Sequence, residues 1–598
     1  MMKHTLKLVL TIVVGITALI LAFLCQQPLW AQVLVSLAGG LVALSMLIEM
    51  IRTLKSGRYG VDLLAITAII ATLAVGEYWA ALMVLVMLTG GDSLEDYAAH
   101  KAGRELKSLL DNSPQVAHLM RGDGLVDVAV DELQVNDQVV VKPGELVPVD
   151  GHIIEGSSLF DESSLTGESR PVERTINEPI MSGSVNGETS ITMVVDQLAI
   201  NSQYQAIVKL VESSAAQPAH FVRLADRYAV PFTLVAYLIA GVAWWLSKDP
   251  VRFAEVLVVA SPCPLILAAP IALISGMSRA SRNGIIVKTG TTIEKLALAK
   301  SAAFDKTGTI TNGQLTVDQV VPMIDIEPSE LCRLAASAEQ ASAHILARSL
   351  LQVVPAAQLL EIISLKEMTG AGVTAQLASG QTVQVGKFEF VAPDQAKQSQ
   401  TQTTVYIGID GRYAGYITFI DHLRQEAPQT MSTLHQLGLQ RLMMLTGDQA
   451  TTAKEIAAQV GIDEVHAGCL PADKIRLINN VTPEQRPIIM VGDGVNDAPS
   501  LASADVGIAM GAHGATAASE SADVVILKDD LSRVSGAITI ARDTMRVARQ
   551  SVLIGIFICI GLMLIASTGV VPALIGALFQ EVVDTVSILY ALRARNDH

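Results

Sequence analysis

The sequence is short of charge, and especially of positive charge. Only 17% of its 598 residues are charged, and 42 Lys and Arg stand against 58 Asp and Glu, which gives a formal net charge of −16. Nucleic-acid-binding domains usually carry a basic patch, so this balance gives no indication of a nucleic-acid partner. The sequence also lacks evident internal repeats and low-complexity tracts.

Cysteine is scarce as well and follows no pairing pattern. The five cysteines do not have the spacing of a zinc finger or a disulfide framework, which fits a reducing cytosol around the soluble parts. The sequence has no Cys-x-x-Cys metal-binding domain before its first apolar run and no His-rich tail. The cysteines are Cys25, Cys263, Cys332, Cys469 and Cys559.

Apolar residues make up 51% of the chain, and they are clustered. A membrane-spanning helix needs about 20 mostly apolar residues, and eight runs approach or reach that length. The first run is longer than the core of a usual signal peptide and lacks an obvious cleavage site, so we interpret it as a retained span. The predicted spans are 5–25, 30–51, 62–75, 77–94, 228–246, 254–275, 550–568 and 571–590.

The distribution of basic residues predicts the orientation in the membrane. An even number of spans places both termini on one side, and the opposite loops carry few basic residues beyond Lys248 and Arg252. The positive-inside rule therefore places the termini and both large polar insertions in the cytoplasm. The basic residues on the predicted cytoplasmic side are Lys3, Lys7, Arg52, Lys55, Arg58, Lys101, Arg104, Arg279, Arg282, Arg593 and Arg595.

Two polar insertions interrupt the apolar runs. The first contains alternating segments such as VVVKPGELVPVDGHIIEG, which predict a small β-rich domain. The second alternates short apolar strands with helical stretches, the pattern of a doubly wound parallel sheet, and it contains a separately patterned α+β insert. The predicted domains are spans at 1–104, the β-rich domain at 105–220, spans at 221–276, the α/β domain at 277–313 and 419–548, the insert at 314–418, and spans at 549–598.

Acidic and hydroxyl residues stand at the ends of three predicted strands of the α/β domain. AAFDKTGTIT places Asp305 there, LMMLTGD places Thr446 and Asp448, and IIMVGDGVNDAP places Asp493 and Asp497. Sites of such sheets lie at the carboxyl ends of the strands, where carboxylates supply the hard oxygen ligands that Mg²⁺ needs beside a phosphate. A carboxylate in this position can attack phosphorus and form an aspartyl phosphate.

Lys474, in PADKIRLI, adds a positive charge that would stabilise a transferring phosphoryl group. A single Asp at the end of a strand is most often a turn residue or a helix cap. Three such strand ends in this order, with DKTGT among them, favour a phosphoryl-transfer site instead.

These motifs resemble those of the P-type ATPases, and the resemblance extends over nearly the whole chain. DKTGT (305–309), TGD (446–448) and GDGVNDAP (492–499) resemble the phosphorylation-domain signatures of that family, and LTGES (165–169) resembles its actuator signature. The resemblance implies a multi-domain α-helical membrane protein with about eight transmembrane helices. It also implies a β-rich actuator domain, a HAD-like doubly wound α/β phosphorylation domain and an α+β nucleotide-binding insert.

The resemblance implies a role for each motif residue. Asp305 becomes the phosphorylated nucleophile, and Glu168, in a tight turn, positions the water that removes the phosphate. The implied catalytic residues are Asp305, Glu168, Lys474, Thr446, Thr166 and Gly167. The implied Mg²⁺ site consists of Asp305, the carbonyl of Thr307, Asp493 and Asp497, supported by Asn496.

Two short elements of the insert resemble the ATP-binding elements of the family. AEQASAHILARS resembles Glu-x-x-Ser-x-His-Pro, with Ile345 where the family usually has proline, and MTGAGVTA resembles Gly-x-Gly. Glycines permit close backbone approach to a ligand, although a lone His or Gly-x-Gly is more often structural. The implied ATP-binding residues are Glu339, Ser342, His344, Gly370 and Gly372, together with Thr307, Asp448 and Asn496.

The chain returns from the insert to the α/β domain through Asp421 and Arg424. These two residues form a hinge pair or lie on a solvated surface, and the sequence favours neither alternative.

The stretch VVASPCPLILAAPIAL (258–273) is apolar enough to span a membrane, but Pro262 and Pro264 flank Cys263 within it. Prolines remove helical donors, and unwound backbone is tolerated in a membrane where it is buried in protein or lines a cavity. We therefore expect a helix break with Cys263 as a soft ligand for a transported ion. The alternative is a proline kink around an inert buried cysteine, which the phosphorylation motif downstream makes less favourable.

Ser-Pro-Cys in this span resembles the heavy-metal branch of the family, as do Gly39-Gly40 and the order of the spans. In the last span Glu581 and Asp584 are three residues apart, so they share one helical face. Either a divalent cation beside Cys263 compensates their charge, or they lie at the membrane rim and meet water or Arg593. The implied site for the transported metal consists of Cys263, Ser261, Glu581 and Asp584.

One thiolate with carboxylate oxygens suits Zn²⁺, Cd²⁺ or Co²⁺ and tolerates Mn²⁺ or Fe²⁺, whereas Cu⁺ prefers a second sulfur that Cys559 or Met563 could supply. The resulting hypothesis is a monomeric P-type ATPase that uses ATP and Mg²⁺ to export a divalent metal from the cytoplasm of a bacterium across its lipid plasma membrane. The alternatives are a pump for Mn, Fe or Cu, a pump for K⁺ or phospholipid in which Cys263 is incidental, and a metal sensor without turnover.

Overall fold

A computed structural model describes most of the chain. The described residues are 2–55, 63–102, 114–122, 124–162, 171–202, 205, 222–260, 263–342, 345–368, 371–393, 403–493, 497–511 and 521–596, without the side chains of 2–6, 49, 53–55, 92–102, 201, 222–229, 263–267, 314 and 345. The predicted site residues outside the described part are Thr166, Gly167, Glu168, Ser261, His344, Gly370 and Asn496, and Cys263 is described only by its backbone.

The chain forms two compact units. Residues 1–298 with 536–598 form the first, which holds the apolar helices and a β domain, and residues 299–535 form the second. The helices, in chain order, are α1 Met2–Leu19, α2 Pro28–Lys55, α3 Leu63–Ala74, α4 Tyr78–Ala102, α5 Val222–Ser247, α6 Pro250–Val259, α7 Cys263–Arg282, α8 Gly290–Ala297, α9 Pro328–Ala338, α10 Ile345–Val353, α11 Phe388–Val391, α12 Ala427–Gln436, α13 Ala450–Val460, α14 Pro471–Asn479, α15 Ala498–Ser503, α16 Ser532–Ser567 and α17 Ala573–Ala591.

The strands divide among three regions of the chain. They are β1 Val116–Arg121, β2 Gly124–Ala129, β3 Gln138–Val141, β4 Gly151–Glu155, β5 Ser158–Asp161, β6 Val172–Arg174, β7 Pro179–Ile180, β8 Val185–Asn186, β9 Ile191–Val195, β10 Ile285–Val287, β11 Ser301–Asp305, β12 Thr311–Pro322, β13 Ile362–Met368, β14 Gly372–Leu377, β15 Thr382–Gly386, β16 Thr403–Ile409, β17 Arg412–Leu423, β18 Arg441–Leu445, β19 Glu464–His466, β20 Ile488–Gly492, β21 Val506–Met510 and β22 Val524–Ile526.

Each of the eight predicted spans coincides with a helix or, for 254–275, with a pair of helices. Within the described residues, five helices are long and apolar enough to cross a membrane, and the apolar parts of α3 and α4 are shorter. This agrees with the expected membrane region. The five segments are Lys7–Leu24, Pro28–Arg52, Val230–Ser247, Ser532–Ser567 and Ala573–Arg595.

The predicted break in the span around Cys263 is present. α6 begins at Pro250 behind Asp249, whose carboxylate accepts a hydrogen bond from the backbone N–H of Val251 at 3.0 Å, and it ends at Val259. α7 begins at Cys263, which places Pro264 in the first turn, where a helix has no intrahelical acceptor for the missing N–H. The cost of the second proline is therefore small, and the chain leaves one helix and enters the next within the apolar stretch.

Residues 116–195 form the predicted β-rich domain. Six strands form a sheet in the order β2-β1-β3-β9-β4-β7, and β6, β5 and β8 form a second, three-stranded sheet. Fully buried side chains such as Ile153, Phe160 and Met193 fill its core. On the segments that flank the LTGES motif, which is outside the described residues, buried Glu162 accepts a hydrogen bond from Arg174 at 3.1 Å.

The second unit contains two sheets. The first is parallel, with its strands in the order β22-β21-β20-β11-β18-β19. β11, β20 and β21 are buried at every position, as expected for parallel strands covered on both faces. The second sheet is antiparallel, in the order β12-β17-β16-β15-β14-β13, and α9 and α10 pack against it in the predicted insert.

Small residues bring the helices of the first unit close together. Ala268, Ala269 and Ala272 of α7 are fully buried, and at Gly276 an added Cβ would lie 2.2 Å from the Oγ1 of Thr544 on α16. Close approach of this kind is how membrane helices gain packing energy without a hydrophobic driving force between them.

We expect Gly276→Ala to lower the melting temperature of the detergent-purified protein by roughly 2–8 °C, because overpacking costs about 1–3 kcal/mol. Gly561→Ala is the matched control, since no atom lies within 4 Å of the position of its Cβ. The double variant Gly276→Ala/Thr544→Ala should recover part of the loss. A Gly276→Ala protein as stable as the wild type would contradict the close α7–α16 contact.

Candidate active site

The ends of three parallel strands meet at one edge of the sheet in the second unit. Asp305, the last residue of β11, lies opposite the last residue of β18, and the residue before Asp305 lies opposite Val491 of β20. Thr446 follows β18 directly, and Asp493 follows β20 directly. Strand pairing thus gathers the three predicted motifs at the carboxyl edge, where such sheets hold their ligands.

A lysine joins two of the carboxylates at this edge. Lys474 on α14 donates from Nζ to Oδ1 of Asp305 at 2.5 Å and to Oδ1 of Asp497 at 2.7 Å. All three side chains are buried. A buried charge is tolerated when it is paired and hydrogen-bonded, and one ammonium here serves two carboxylates.

The environment of Asp305 changes the pKa of its carboxyl group. Burial raises the pKa to about 6; the negative charges of Asp497 and Asp493 add to the increase, and Lys474 opposes it. For Lys474, burial alone would lower the pKa, but Asp305 and Asp497 outweigh it and the net shift is upward. Lys474 therefore stays charged at neutral pH, while Asp305 titrates close to the physiological range.

The DKTGT loop passes close beneath Asp493. Gly308 has a φ of +73°, and a Cβ on it would lie 2.6 Å from Oδ2 of Asp493, so only glycine fits without a rearrangement. The carboxylate of Asp493 thus lies against the loop that carries Asp305 and Thr307, and hard oxygen donors from both strand ends are available to one cation.

No three His, Cys, Asp or Glu side chains within the described residues are arranged to hold a metal ion by themselves. Mg²⁺ is commonly bound by one or two carboxylates completed by water and substrate phosphate. The carboxylates of Asp305, Asp493 and Asp497 are of the type that fits such a site, and Lys474 bonds one oxygen each of Asp305 and Asp497.

The TGD segment is tied to the DKTGT loop. The backbone N–H of Asp448 donates to Oγ1 of buried Thr446 at 3.1 Å, and the carboxylate of Asp448 pairs with Lys306. Lys306 follows the nucleophile candidate directly, so this ion pair fixes the loop at the position where the chain leaves β11.

Asp421 and Arg424 are both bonded to the same loop region, and Arg424 is only 4% exposed. The carboxylate of Asp421 accepts hydrogen bonds from Oγ1 of Thr311 at 2.6 Å and from the backbone N–H of Gly313 at 3.1 Å. Arg424 donates from Nη2 to the carbonyl of Gly308 at 3.0 Å, and it also pairs with Asp529. The solvated-surface alternative is therefore wrong for Arg424, and the insert rejoins the sheet through contacts with the phosphorylation loop.

The predicted ATP-binding residues that are described occupy structural positions. Glu339 caps the end of α9, and its carbonyl accepts a hydrogen bond from the N–H of Ser342 at 2.9 Å. A Cβ on Gly372 would lie 2.3 Å from the carbonyl of Val385, so strand packing alone requires this glycine. These positions do not test the predicted role in ATP binding.

A cavity of about 640 Å³ lies between the insert and the sheet within the second unit. Lys306, Gly447 and Asp448 line it from the sheet side, and Phe419 and His422 line it from the insert side. It therefore extends from the DKTGT and TGD loops toward the insert.

The predicted metal-site residues of the last span differ in burial. Asp584 is 5% exposed, whereas Glu581 is only partly buried. Asp584 accepts a hydrogen bond from Nε2 of Gln580 at 2.8 Å, and Oε1 of Gln580 lies 3.4 Å from the Sγ of Cys559, which is the donor. The structure thus gives Asp584 a partner one helical turn away that the sequence analysis had not selected.

Comparison with known proteins gives matches along most of the chain. A model of the P-type ATPase actuator domain matches residues 111–212, and a model of the haloacid dehalogenase-like hydrolases matches residues 299–505. The zinc-transporting ATPase of Bacillus subtilis (strain 168) is 36% identical over 523 residues, which cover 84% of this chain and 81% of that protein. The chain belongs to the P-type ATPases.

Other relatives of this P-type ATPase are similar over even more of its length. The cadmium, zinc and cobalt-transporting ATPase of Helicobacter pylori (strain ATCC 700392 / 26695) is 33% identical over 594 residues, 94% of this chain and 85% of that protein. A crystal structure of a zinc-transporting PIB-type ATPase in the E2.Pi state superposes with a TM-score of 0.67 at 29% identity and covers 100% of both chains. The predicted family and fold class are confirmed, and with them the general use of ATP and Mg²⁺ by a membrane protein.

Three structural features of this P-type ATPase were not selected from the sequence. They are the hydrogen bond from Arg424 to Gly308, the ion pair of Lys306 with Asp448, and Gln580 beside Asp584. Gln580 had a usable signal, because it lies four residues before Asp584 in a mostly apolar helix. The other two involve residues more than a hundred positions apart, which no local pattern reveals.

We expect the rate of phosphoenzyme formation to fall as the pH drops through about 6, because Asp305 must be ionised to attack phosphorus and its pKa is about 6. Lys474 favours the ionised form, so Lys474→Gln should move this acid limb to higher pH as well as lower the plateau rate. Rapid-quench measurement of acyl phosphate against pH in both proteins provides the test. An unchanged or lower midpoint in Lys474→Gln would contradict the assignment.

We expect Arg424→Gln to slow phosphorylation roughly 10–100-fold while nucleotide binding stays close to wild type, because the variant releases the Gly308 carbonyl and misplaces the reacting loop. Arg441→Gln is the matched control, since Arg441 pairs with Glu464 at 2.6 Å, away from this loop's hydrogen bonds. Equal phosphorylation rates in the two variants would show that the contact with Gly308 has no role in positioning.

Proposed function

We propose that this P-type ATPase exports a divalent transition-metal cation from the cytoplasm, with zinc, cadmium and cobalt as its cargo class, through an aspartyl-phosphate intermediate. The observation that carries the catalytic part is the buried contact of Lys474 with Asp305 and Asp497 at the meeting point of the strand ends. The printed names of the relatives from Bacillus subtilis and Helicobacter pylori support the cargo.

Asp305 attacks the γ-phosphorus of ATP, and the bond from that phosphorus to the oxygen of ADP breaks as the acyl phosphate forms. The ammonium group of Lys474 then also pairs with the phosphoryl oxygens, and the hydroxyl of Thr446 donates a hydrogen bond to them. Asp305, the Thr307 carbonyl, Asp493 and Asp497 would hold Mg²⁺, which neutralises phosphate charge when bound. Asp497 keeps Lys474 in place, and this arrangement needs no movement of the strands.

Dephosphorylation is assigned to residues outside the described part of the chain. We assign to Glu168 the positioning of the water that attacks the acyl phosphate, with Thr166 and Gly167 as its catalytic neighbours in the chain. For ATP binding we propose Glu339, Ser342, His344, Gly370 and Gly372 on the insert and Thr307, Asp448 and Asn496 near the phosphates. The cavity between Lys306 and His422 supports a nucleotide that reaches Asp305 from the insert.

The cargo site is proposed at the break between α6 and α7. Backbone carbonyls freed by the break, the thiol of Cys263 and the hydroxyl of Ser261 supply ligands there, and the last span adds Asp584 and Glu581. A carboxylate inside a membrane costs about 2.5–3.5 kcal/mol, so a divalent cation is a fitting partner for it. Metal occupancy and phosphorylation bias the same two global states, which couples transport to ATP hydrolysis.

The orientation of the pump in the membrane is proposed from its basic residues. The basic residues that flank the spans support cytoplasmic termini and soluble domains, and we propose a multi-pass monomer in a bacterial plasma membrane. A sensor without turnover is disfavoured, because the contact of Asp305 with Lys474 would have no reason to persist in a protein that does not transfer phosphate.

The test is a metal screen on the purified full-length protein. We expect Zn²⁺, Cd²⁺ and Co²⁺ to stimulate ATP hydrolysis and phosphoenzyme formation more than Mn²⁺ or Cu⁺ does. Asp305→Asn should form no phosphoenzyme, and Cys263→Ala should lose stimulation by metal while still being phosphorylated by inorganic phosphate. Inside-out vesicles loaded with a zinc indicator should show ATP-dependent accumulation.

Asp318→Asn serves as the control for a lost carboxylate in the same unit and should behave as wild type. Retained turnover in Asp305→Asn would overturn the aspartyl-phosphate route. Stimulation by K⁺ alone, or equal metal stimulation in Cys263→Ala, would overturn the metal cargo and leave the ATPase.

A further inference from the structure

The last two helices of the first unit bury polar side chains in a region that is otherwise apolar. Gln580, Asp584 and Ser587 occupy positions i, i+4 and i+7 of α17, which form one face, and none is more than 5% exposed. Burying polar groups inside a membrane is expensive, so a run of three on one face indicates function.

This polar face lies against α16. The Sγ of Cys559, 1% exposed, donates to Oε1 of Gln580 at 3.4 Å, and Oγ of Ser551 donates to the carbonyl of Ser587 at 2.6 Å. The hydroxyl of Ser587 itself has no hydrogen-bond partner among the described residues, although the side chain is fully buried. A buried hydroxyl oxygen without a partner, one turn from Asp584, is an oxygen donor available to a ligand.

The same face lies at the level of the break between α6 and α7. A Cβ on Gly576 would lie 2.7 Å from Cγ2 of Val259, the last residue of α6. Farther along, Arg282 at the end of α7 donates to the carbonyl of Arg595. α7 and α17 therefore run in the same direction. Cys559 belongs to the same buried cluster as Val259, Ala260 and Ala268, which are described residues on either side of the break, and its partner Gln580 is one turn beyond Gly576.

We propose that Cys559 is a second sulfur ligand of the transported cation and that Gln580 is a positioning residue that holds both Cys559 and Asp584 before the cation arrives. The proposal rests on the proposed metal transport and extends its site to α16. Glu581 shares neither contact and is only partly buried, so Asp584 is the carboxylate of the site.

When the cation binds, Cys559 exchanges its proton for the metal. The S–H bond of Cys559 breaks, its proton leaves to water, and the sulfur lone pair forms the bond to the metal, so each bound cation releases one proton from this residue. The side-chain amide of Gln580 then loses the hydrogen bond from Cys559 and keeps its hydrogen bond to Asp584. Two thiolates with one carboxylate favour softer cations such as Cd²⁺ over harder ones such as Mn²⁺.

Cadmium-edge X-ray absorption on the full-length protein loaded with one equivalent of Cd²⁺ counts the sulfur neighbours directly. We expect two sulfurs in the wild type, one in Cys559→Ser and one in Cys263→Ser. Cys332→Ser, which removes a buried cysteine of the insert, should keep two. One sulfur in the wild type, or two in Cys559→Ser, would overturn the proposal.

Kinetics provide a second readout. In Cys559→Ser the Cd²⁺ concentration for half-maximal phosphorylation should rise at least ~10-fold, whereas that for Mn²⁺ should change by less than about threefold. Phosphorylation by inorganic phosphate checks that the variant is folded; if it is not, Cys559→Ala replaces it in both measurements.

Different outcomes would refute the proposed metal transport and the proposed role of Cys559. Two sulfurs in the wild type and one in Cys559→Ser, without a Cd²⁺-stimulated phosphoenzyme, would refute the proposed transport and keep the ligand assignment. A wild type that is stimulated by Cd²⁺ bound through one sulfur would refute only the role of Cys559.

Discussion

The active site depends on one buried cation between two buried carboxylates. Without Lys474, the charges of Asp305 and Asp497 would face each other in a low dielectric, and breaking such a network typically costs about 3–5 kcal/mol. The positions of β11, α14 and the chain after β20 matter to catalysis because they deliver Asp305, Lys474 and Asp497 to this contact. The raised pKa of Asp305 is mainly a consequence of the same burial. Because the carboxylate is not fully solvated, water also has little access to the acyl phosphate that forms on it.

A second set of contacts connects the insert to this site. Arg424 donates a hydrogen bond to the Gly308 carbonyl, and Asp421 accepts hydrogen bonds from Thr311 and Gly313. All of these residues lie at or next to the start of β12 and the end of β17. Gly308 in turn lies so close to Asp493 that no side chain fits there. A change in how the insert is held therefore reaches the phosphorylation loop through hydrogen bonds, which is a physical route by which nucleotide occupancy can act on Asp305.

In the first unit the constraint is different, because the helices have no water to satisfy their polar groups. The break between α6 and α7, the polar face of α17 and the thiol of Cys559 are each costly on their own. The thiol, the amide and the carboxylate are joined by hydrogen bonds, and Cys559 belongs to the same buried cluster as Val259 and Ala260 at the break. The cost of each is offset if they share a ligand, which is why we interpret them as one site rather than as separate defects.

The sequence alone determined the family, the order of the domains' motifs, the eight apolar runs and the helix break, because these depend on local composition and on short motifs such as DKTGT. The sequence also identified Asp305, Lys474 and Asp493 as site residues, because carboxylates and an ammonium group are what phosphoryl transfer requires. Only the tertiary structure decided that Lys474 bonds Asp497 as well, that Arg424 is bonded to Gly308, and that Gln580 and Cys559 accompany Asp584. Those contacts join residues far apart in the chain, and strand pairing and helix packing, which no local pattern encodes, bring them together.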